Sequence, residues 1–190
     1  MTVHVTQFAD GLPRRAFTVD DVFRFVEAGL IAEDERLELL GGDLVPMSPK
    51  NIRHEQIKTR LMLHLADMRR GCGFEFTPET TFRLSVDTFV EPDFVLYPPE
   101  PGLAGLDPQT ALLAIEVSDT SLSYDRGRKA GIYALHGVRE LWVIDAVSTS
   151  LIVHRDPSPT GYREVSVHDA TETVRAAAIP DLTLRLEDIA

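Results

Sequence analysis

The sequence predicts an α/β domain, and three observations carry the prediction. Residues 111–118 (ALLAIEVS) and 140–146 (ELWVIDA) are nearly continuous apolar runs, as expected of strands covered on both faces. Residues 123–136 between them read as a helix closed by Gly137, making 111–146 a strand–helix–strand crossover. Upstream, Ile57, Leu61, Leu65 and Met68 recur at helical spacing within 52–70, with Leu63 off the stripe. At 190 residues the chain suits a single domain with a sizeable core.

Taken in order, Thr18 caps a helix over 19–28, with Asp21 three residues on, Val22, Phe25, Val26 and Leu30 as its stripe, and Gly29 as its stop. In RLELLGGDLVPM (36–47), two short runs flank Gly41-Gly42, the signal of a two-residue hairpin turn. Asn51 opens the helix 52–70, and Gly71 and Gly73 end it. Residues 74–77, 81–86 and 89–97, rich in Phe, Thr and Val, read as strands, and the Pro/Gly-rich 98–109 as a loop. After the crossover, 150–155 and 162–167 form a hairpin around DPSPTG, and LTLRL (182–186) a last short strand.

Thirty acidic residues against 19 basic give a formal charge of −11, which argues against a broad electrostatic grip on nucleic acid. The charge is uneven. Residues 19–43 hold eight acidic residues against two arginines, whereas 50–70 hold six basic residues against two acidic ones. The second stretch is either a local basic face or a solvated helix surface. No apolar run reaches the roughly 18 residues needed to cross a bilayer, and the N-terminus has no basic start followed by an apolar stretch. The single Cys72 forms no intrachain disulfide and has no zinc spacing around it. The cytoplasm is the expected compartment.

Charges inside apolar strands are the informative ones, because burying a carboxylate costs several kcal/mol unless something pairs with it. Asp93 sits between Pro92 and FVLY, and Glu116 between LLAI and VS. Asp93 either ends a strand or serves a site; Glu116 either pairs with a buried arginine or serves the same site. Two carboxylates at the ends of neighbouring strands suit Mg²⁺ or Mn²⁺. Glu116 and Ser118 face the same way by strand alternation, and the crossover helix can bring Lys129 back to the strand ends. Two carboxylates and a lysine are a minimal kit for metal-dependent phosphodiester hydrolysis. A serine-hydrolase reading finds no G-x-S-x-G around Ser118 or Ser121.

EPDFVLY, LLAIEVSDTS and DRGRKAGIYALHGVRELWVID, with RLELLGGDLVPMSP and RHEQI upstream, resemble the Uma-two proteins, a restriction-endonuclease family of the PD-(D/E)XK nuclease superfamily. The resemblance runs from about Arg36 to about Asp145. It implies a restriction-endonuclease-like mixed sheet flanked by helices, with an N-terminal helix and hairpin and a C-terminal β extension. It also implies a metal-dependent endonuclease acting on DNA as a homodimer. Asp93 matches the PD aspartate and Glu116 the second acidic ligand, with the carbonyl of Val117 completing the coordination. The superfamily's lysine position is Ser118 here, and Lys129 matches the lysine that takes over in the family. Glu38 matches an N-terminal acidic position, as an added ligand or an exposed hairpin carboxylate. His54 and Gln56 match the start of the first core helix, lining the site near a phosphate or lying on the helix face. Arg126 and Arg128 flank Lys129 and either touch a phosphate backbone or solvate the helix. Tyr133 and Asp125 match further motif positions and read as structural, as do Trp142 and Gly137. The competing expectation, motivated by Ser118 and the acidic charge, is a nuclease-fold protein that binds nucleic acid or a protein without cutting.

Overall fold

A computed structural model describes residues 5–7, 13–119 and 125–190. Its backbone contacts divide the chain into two compact units, Met1–Pro49 with Thr81–Glu91 and Lys50–Thr80 with Pro92–Ala190.

In the first unit, β1 (Val5–Gln7) pairs antiparallel with β2 (Pro13–Arg15). Helix α1 (Val19–Glu27) opens on the expected capping box: Asp21 N donates to Thr18 Oγ1, and Thr18 N to Asp21 Oδ2, each at 3.1 Å. Strands β3 (Leu37–Leu40) and β4 (Asp43–Pro46) form the hairpin around Gly41 and Gly42. Both glycines have positive φ, +59° and +84°, which is the type I′ geometry. A Cβ on Gly42 would sit 2.4 Å from the Cβ of Ala16, so glycine is required twice over. With β6 (Phe82–Arg83) and β7 (Phe89–Val90), these strands make an antiparallel sheet in the order β4-β3-β7-β6. Val19, Val22, Leu37, Leu39 and Phe89 form its core.

The second unit is built on a six-stranded sheet, β12-β11-β10-β9-β8-β5. Its strands are β5 (Glu75–Pro78), β8 (Phe94–Tyr97), β9 (Leu113–Ser118), β10 (Glu140–Asp145), β11 (Ser150–Ser158) and β12 (Gly161–Asp169). Only β9 and β10 run parallel, so the sheet is mixed, as expected. Helix α2 (Ile52–Cys72) lays Ile57, Leu61 and Leu65 into one core with Phe94, Leu96, Leu113, Ile115 and Val117. The C-terminal segment enters that core through Val174, Leu182, Leu184 and Ile189, and β13 (Val174–Arg175) pairs there with β14 (Thr183–Leu184).

Four expected elements come out differently; of the strand expected over 81–86 only Phe82–Arg83 forms. The run 89–97 is two strands in two units, because Pro92 has no N–H to donate and the ladder stops around it. The crossover helix is shorter than 123–136: a wide turn over Asp125–Lys129 precedes α3 (Ala130–Leu135), and 120–124 lie outside the described residues. Gly127 and Gly131 weaken the helix there. The last strand is only Thr183–Leu184, after which Leu186–Asp188 form a 3₁₀ turn. Among the described residues, no helix is long and apolar enough to cross a membrane.

Candidate active site

Antiparallel pairing of β8 with β9 ends at Phe94 opposite Ile115. One step further, that register sets Asp93 against Glu116. Both carboxylates are buried. Asp93 takes over the end of the ladder itself: its Oδ2 accepts the main-chain N–H of Val117 at 2.7 Å. In a strand, the N–H and C=O of one residue point to the same edge, so the Val117 carbonyl faces the Asp93 side.

The N-terminus of α2 supplies the partners of Asp93. Asn51 caps the helix, its Oδ1 accepting from His54 N at 3.1 Å, and its Nδ2 donates to Asp119 just past β9. The cap fixes His54, whose Nε2 lies 3.1 Å from Asp93 Oδ2. Lys50, one residue before the cap, donates from Nζ to Asp93 Oδ1 at 2.7 Å and to Glu79 Oε1 at 2.5 Å. Lys58 Nζ continues from Glu79 Oε1 (3.1 Å) to Glu55 Oε1 (3.0 Å), and Glu55 Oε1 lies 3.2 Å from His54 Nδ1. Asp93, Lys50, Glu79, Lys58, Glu55 and His54 thus form a closed ring of alternating charge character. Burial pushes the Asp93 carboxyl up, but the hydrogen bond and charge of His54 and the ammonium of Lys50 outweigh it and hold it well below the usual carboxylate range. Burial likewise raises the Glu79 carboxyl, and its bonds to Lys50 and Lys58 bring it below its ordinary value.

Glu116 is served by the crossover segment. Leu113, Ile115 and Val117 face the α2 core, so Glu116 and Ser118 point to the opposite face. There Glu116 Oε1 accepts from Tyr133 Oη at 2.6 Å and Lys129 Nζ at 2.9 Å. All three side chains are buried. Among the described residues Glu116 thus pairs with a lysine, where the sequence had allowed a buried arginine. Ser118 is fully buried and leaves its position without an ammonium.

The remaining expected residues divide. Glu38 lies in the first unit, buried rather than exposed on its hairpin, and its Oε1 accepts from Glu91 N at 3.0 Å. Gln56 is exposed, two residues from buried His54 and so on another side of α2, where it lines an open cleft of about 430 Å³ with Lys50, Asn51, Thr59 and Arg60. Arg128 is exposed; the side chain of Arg126 lies outside the described residues, as does that of Asp125. The basic stretch 50–70 is largely engaged: Arg53 approaches Asp119, Arg60 bonds the carbonyls of Ile189 and Ala190, and Arg69 pairs with Glu75. Sequence reasoning missed Lys50, which stands outside the periodic helix, and read Tyr133 as merely structural. The helical spacing of Lys129 and Tyr133, four apart on one face, is the signal that pairs them.

Among the described residues, no three His, Cys, Asp or Glu side chains come together as a metal cage. Asp93, Glu116 and the Val117 carbonyl are nevertheless hard oxygen donors. They fit a cation such as Mg²⁺, which takes one or two carboxylates and completes its shell with water and phosphate oxygens.

Residues 22–187 match Uma2, a family described as "Putative restriction endonuclease". The chain belongs to the Uma2 family. A solved structure from Anabaena variabilis ATCC 29413, titled a putative nuclease belonging to DUF820, shares the fold with a TM-score of 0.69 at 16% identity, over 91% of this Uma2 chain and 97% of the other. No curated protein matches. Divalent metals are general in restriction-endonuclease-like families.

Proposed function

We propose that this Uma2 chain is a metal-dependent endonuclease that hydrolyses DNA phosphodiester bonds in the cytoplasm. The observation that carries the reading is the pair Asp93 and Glu116, buried at neighbouring strand ends, each with a lysine ammonium on one oxygen. Asp93, Glu116 and the Val117 carbonyl would hold Mg²⁺ or Mn²⁺. Bound there, the ion polarises a phosphate oxygen and lowers the pKa of its water. Val117 N–H and His54 fix Asp93 Oδ2, so a cation would be held through Oδ1, where the Lys50 ammonium stands. Tyr133 and Lys129 orient Glu116, and Lys129 adds positive charge where negative charge builds on the phosphate. Water adds to phosphorus, one P–O ester bond breaks, and the leaving oxygen takes a proton. Arg128, Arg126 and Gln56 are the assigned contacts for the nucleic-acid strand.

A homodimer belongs to the same reading, which would place two sites for two strands. Its support here is β12, an edge strand of the sheet with Val165 and Val167 exposed. Antiparallel self-pairing about Ser166 would set Arg163 opposite Asp169 and Glu164 opposite His168 of a second copy, all charge-compatible.

Calorimetry tests the metal site. Folded wild type should bind Mn²⁺ saturably, with oligonucleotide present if needed, and Asp93→Ala/Glu116→Ala should not. Equal binding by both would remove the site. One observation favours a second reading, a binding protein with a relict nuclease fold: Ser118 has replaced the strand lysine, and both carboxylates are already paired with lysines. It expects nucleic-acid binding unaffected by EDTA and no cleavage.

A further inference from the structure

Lys50 carries the inference that goes furthest. Its side chain is only 13% exposed, and its ammonium bridges Asp93 and Glu79. Asp93 has two oxygens and two environments. Oδ2 is filled by Val117 N–H and His54, both set by the backbone or a helix cap. Oδ1 is met by Lys50. A cation arriving at Asp93 therefore competes with the Lys50 ammonium for Oδ1. Displacement need not set Lys50 adrift, because Glu79 holds the same Nζ and is itself held by Lys58.

We propose that Lys50 is a resident counter-cation of this site: it occupies Asp93 Oδ1 until a divalent cation displaces it, and Glu79 then keeps its ammonium beside the site, supplying the charge absent at Ser118. The inference rests on the metal-site reading. It makes Lys50 a residue with two effects of opposite sign. Its positive charge opposes metal binding, and the same charge favours a phosphodiester anion next to the metal and the further negative charge that builds as water adds to it. It also accounts for how the buried Asp93 carboxylate is tolerated before any metal arrives, since an unpaired buried carboxylate is strongly destabilising. Lys129 does not duplicate this role, because its ammonium stands on Glu116 with Tyr133.

The test compares Mn²⁺ affinity and plasmid cleavage in wild type, Lys50→Gln, Lys50→Arg and Asp93→Asn, each checked for folding by circular dichroism. Lys50→Gln should bind Mn²⁺ at least about tenfold more tightly than wild type and cleave more slowly at saturating metal. Lys50→Arg, which keeps the charge, should stay near wild-type affinity. A merely structural lysine would weaken both properties together. Wild type supplies a second readout: with lysines ¹³C-methylated, Mg²⁺ should shift the Lys50 resonance, assigned by its loss in Lys50→Arg. Should Lys50→Gln fail to fold, that shift decides alone. Unchanged or weaker Mn²⁺ binding by folded Lys50→Gln, or an unmoved Lys50 signal while Asp93-dependent binding occurs, overturns the proposal and leaves the metal site standing. Wild type and Asp93→Asn binding Mn²⁺ alike would overturn both.

Discussion

Glu116 and Lys129 show what a buried ion pair demands. Each is nearly inaccessible, so losing one partner strands the other. Lys129→Met should cost about 3–5 kcal/mol, and Glu116→Gln in the same chain should recover much of it; denaturant melts of the double-mutant cycle measure the coupling. Tyr133→Phe, which removes only the hydroxyl 2.6 Å from Glu116, should cost about 1.5–3 kcal/mol, the range for hydrogen bonds to a charged group. The carboxylates were legible in the sequence because a charge in an apolar run contradicts its surroundings, and Lys129 was legible by resemblance. Lys50 was not: a lysine after a proline, before a cap, looks like any solvated loop residue. Its meaning comes from Asp93 and Glu79, 43 and 29 positions away, and no local pattern encodes such a distance. Glu38 was open in the sequence, as an added ligand or an exposed hairpin carboxylate, and the burial of the whole of β3 removes the exposed alternative.

Elements place these groups. Helix α2 fixes Lys50 and His54 through the Asn51 cap, and its stripe of Ile57, Leu61 and Leu65 docks it on the sheet. Asn51→Ala should therefore cost about 1 kcal/mol of stability and also loosen His54, seen as a changed ring environment by NMR. Leu61→Ala, at a fully buried position, should cost about 2–5 kcal/mol. The helix, its cap and both central strands were readable because their signals are local: period, cap residue, apolar run. The crossover was read too long because helical spacing persists through DRGRKAGIYAL while its two glycines let the first turn widen. The strand over 89–97 was read as continuous because Phe and Val favour strands on both sides of Pro92, and only the proline's missing donor divides them.

At the scale of the molecule, the chain passes between its two units at positions 49–50, 80–81 and 91–92. We read it as one domain over 1–190, and thermal unfolding should then be a single transition with equal calorimetric and van't Hoff enthalpies; two transitions would divide it. Sedimentation should show a dimer that Val167→Lys, a charge on the exposed edge strand, converts to monomer. The acidic total of −11 sets a condition on function: engagement of nucleic acid must come from the few cations near the strand ends and from bound metal rather than from the whole surface. Cleavage of supercoiled plasmid, with and without Mg²⁺, by wild type and Asp93→Asn tests this account most directly. Mg²⁺-dependent nicking, abolished by EDTA and reduced at least about 100-fold in Asp93→Asn, is the expected result. Plasmid left intact by wild type under Mg²⁺ and Mn²⁺, or cut equally by Asp93→Asn, would contradict it.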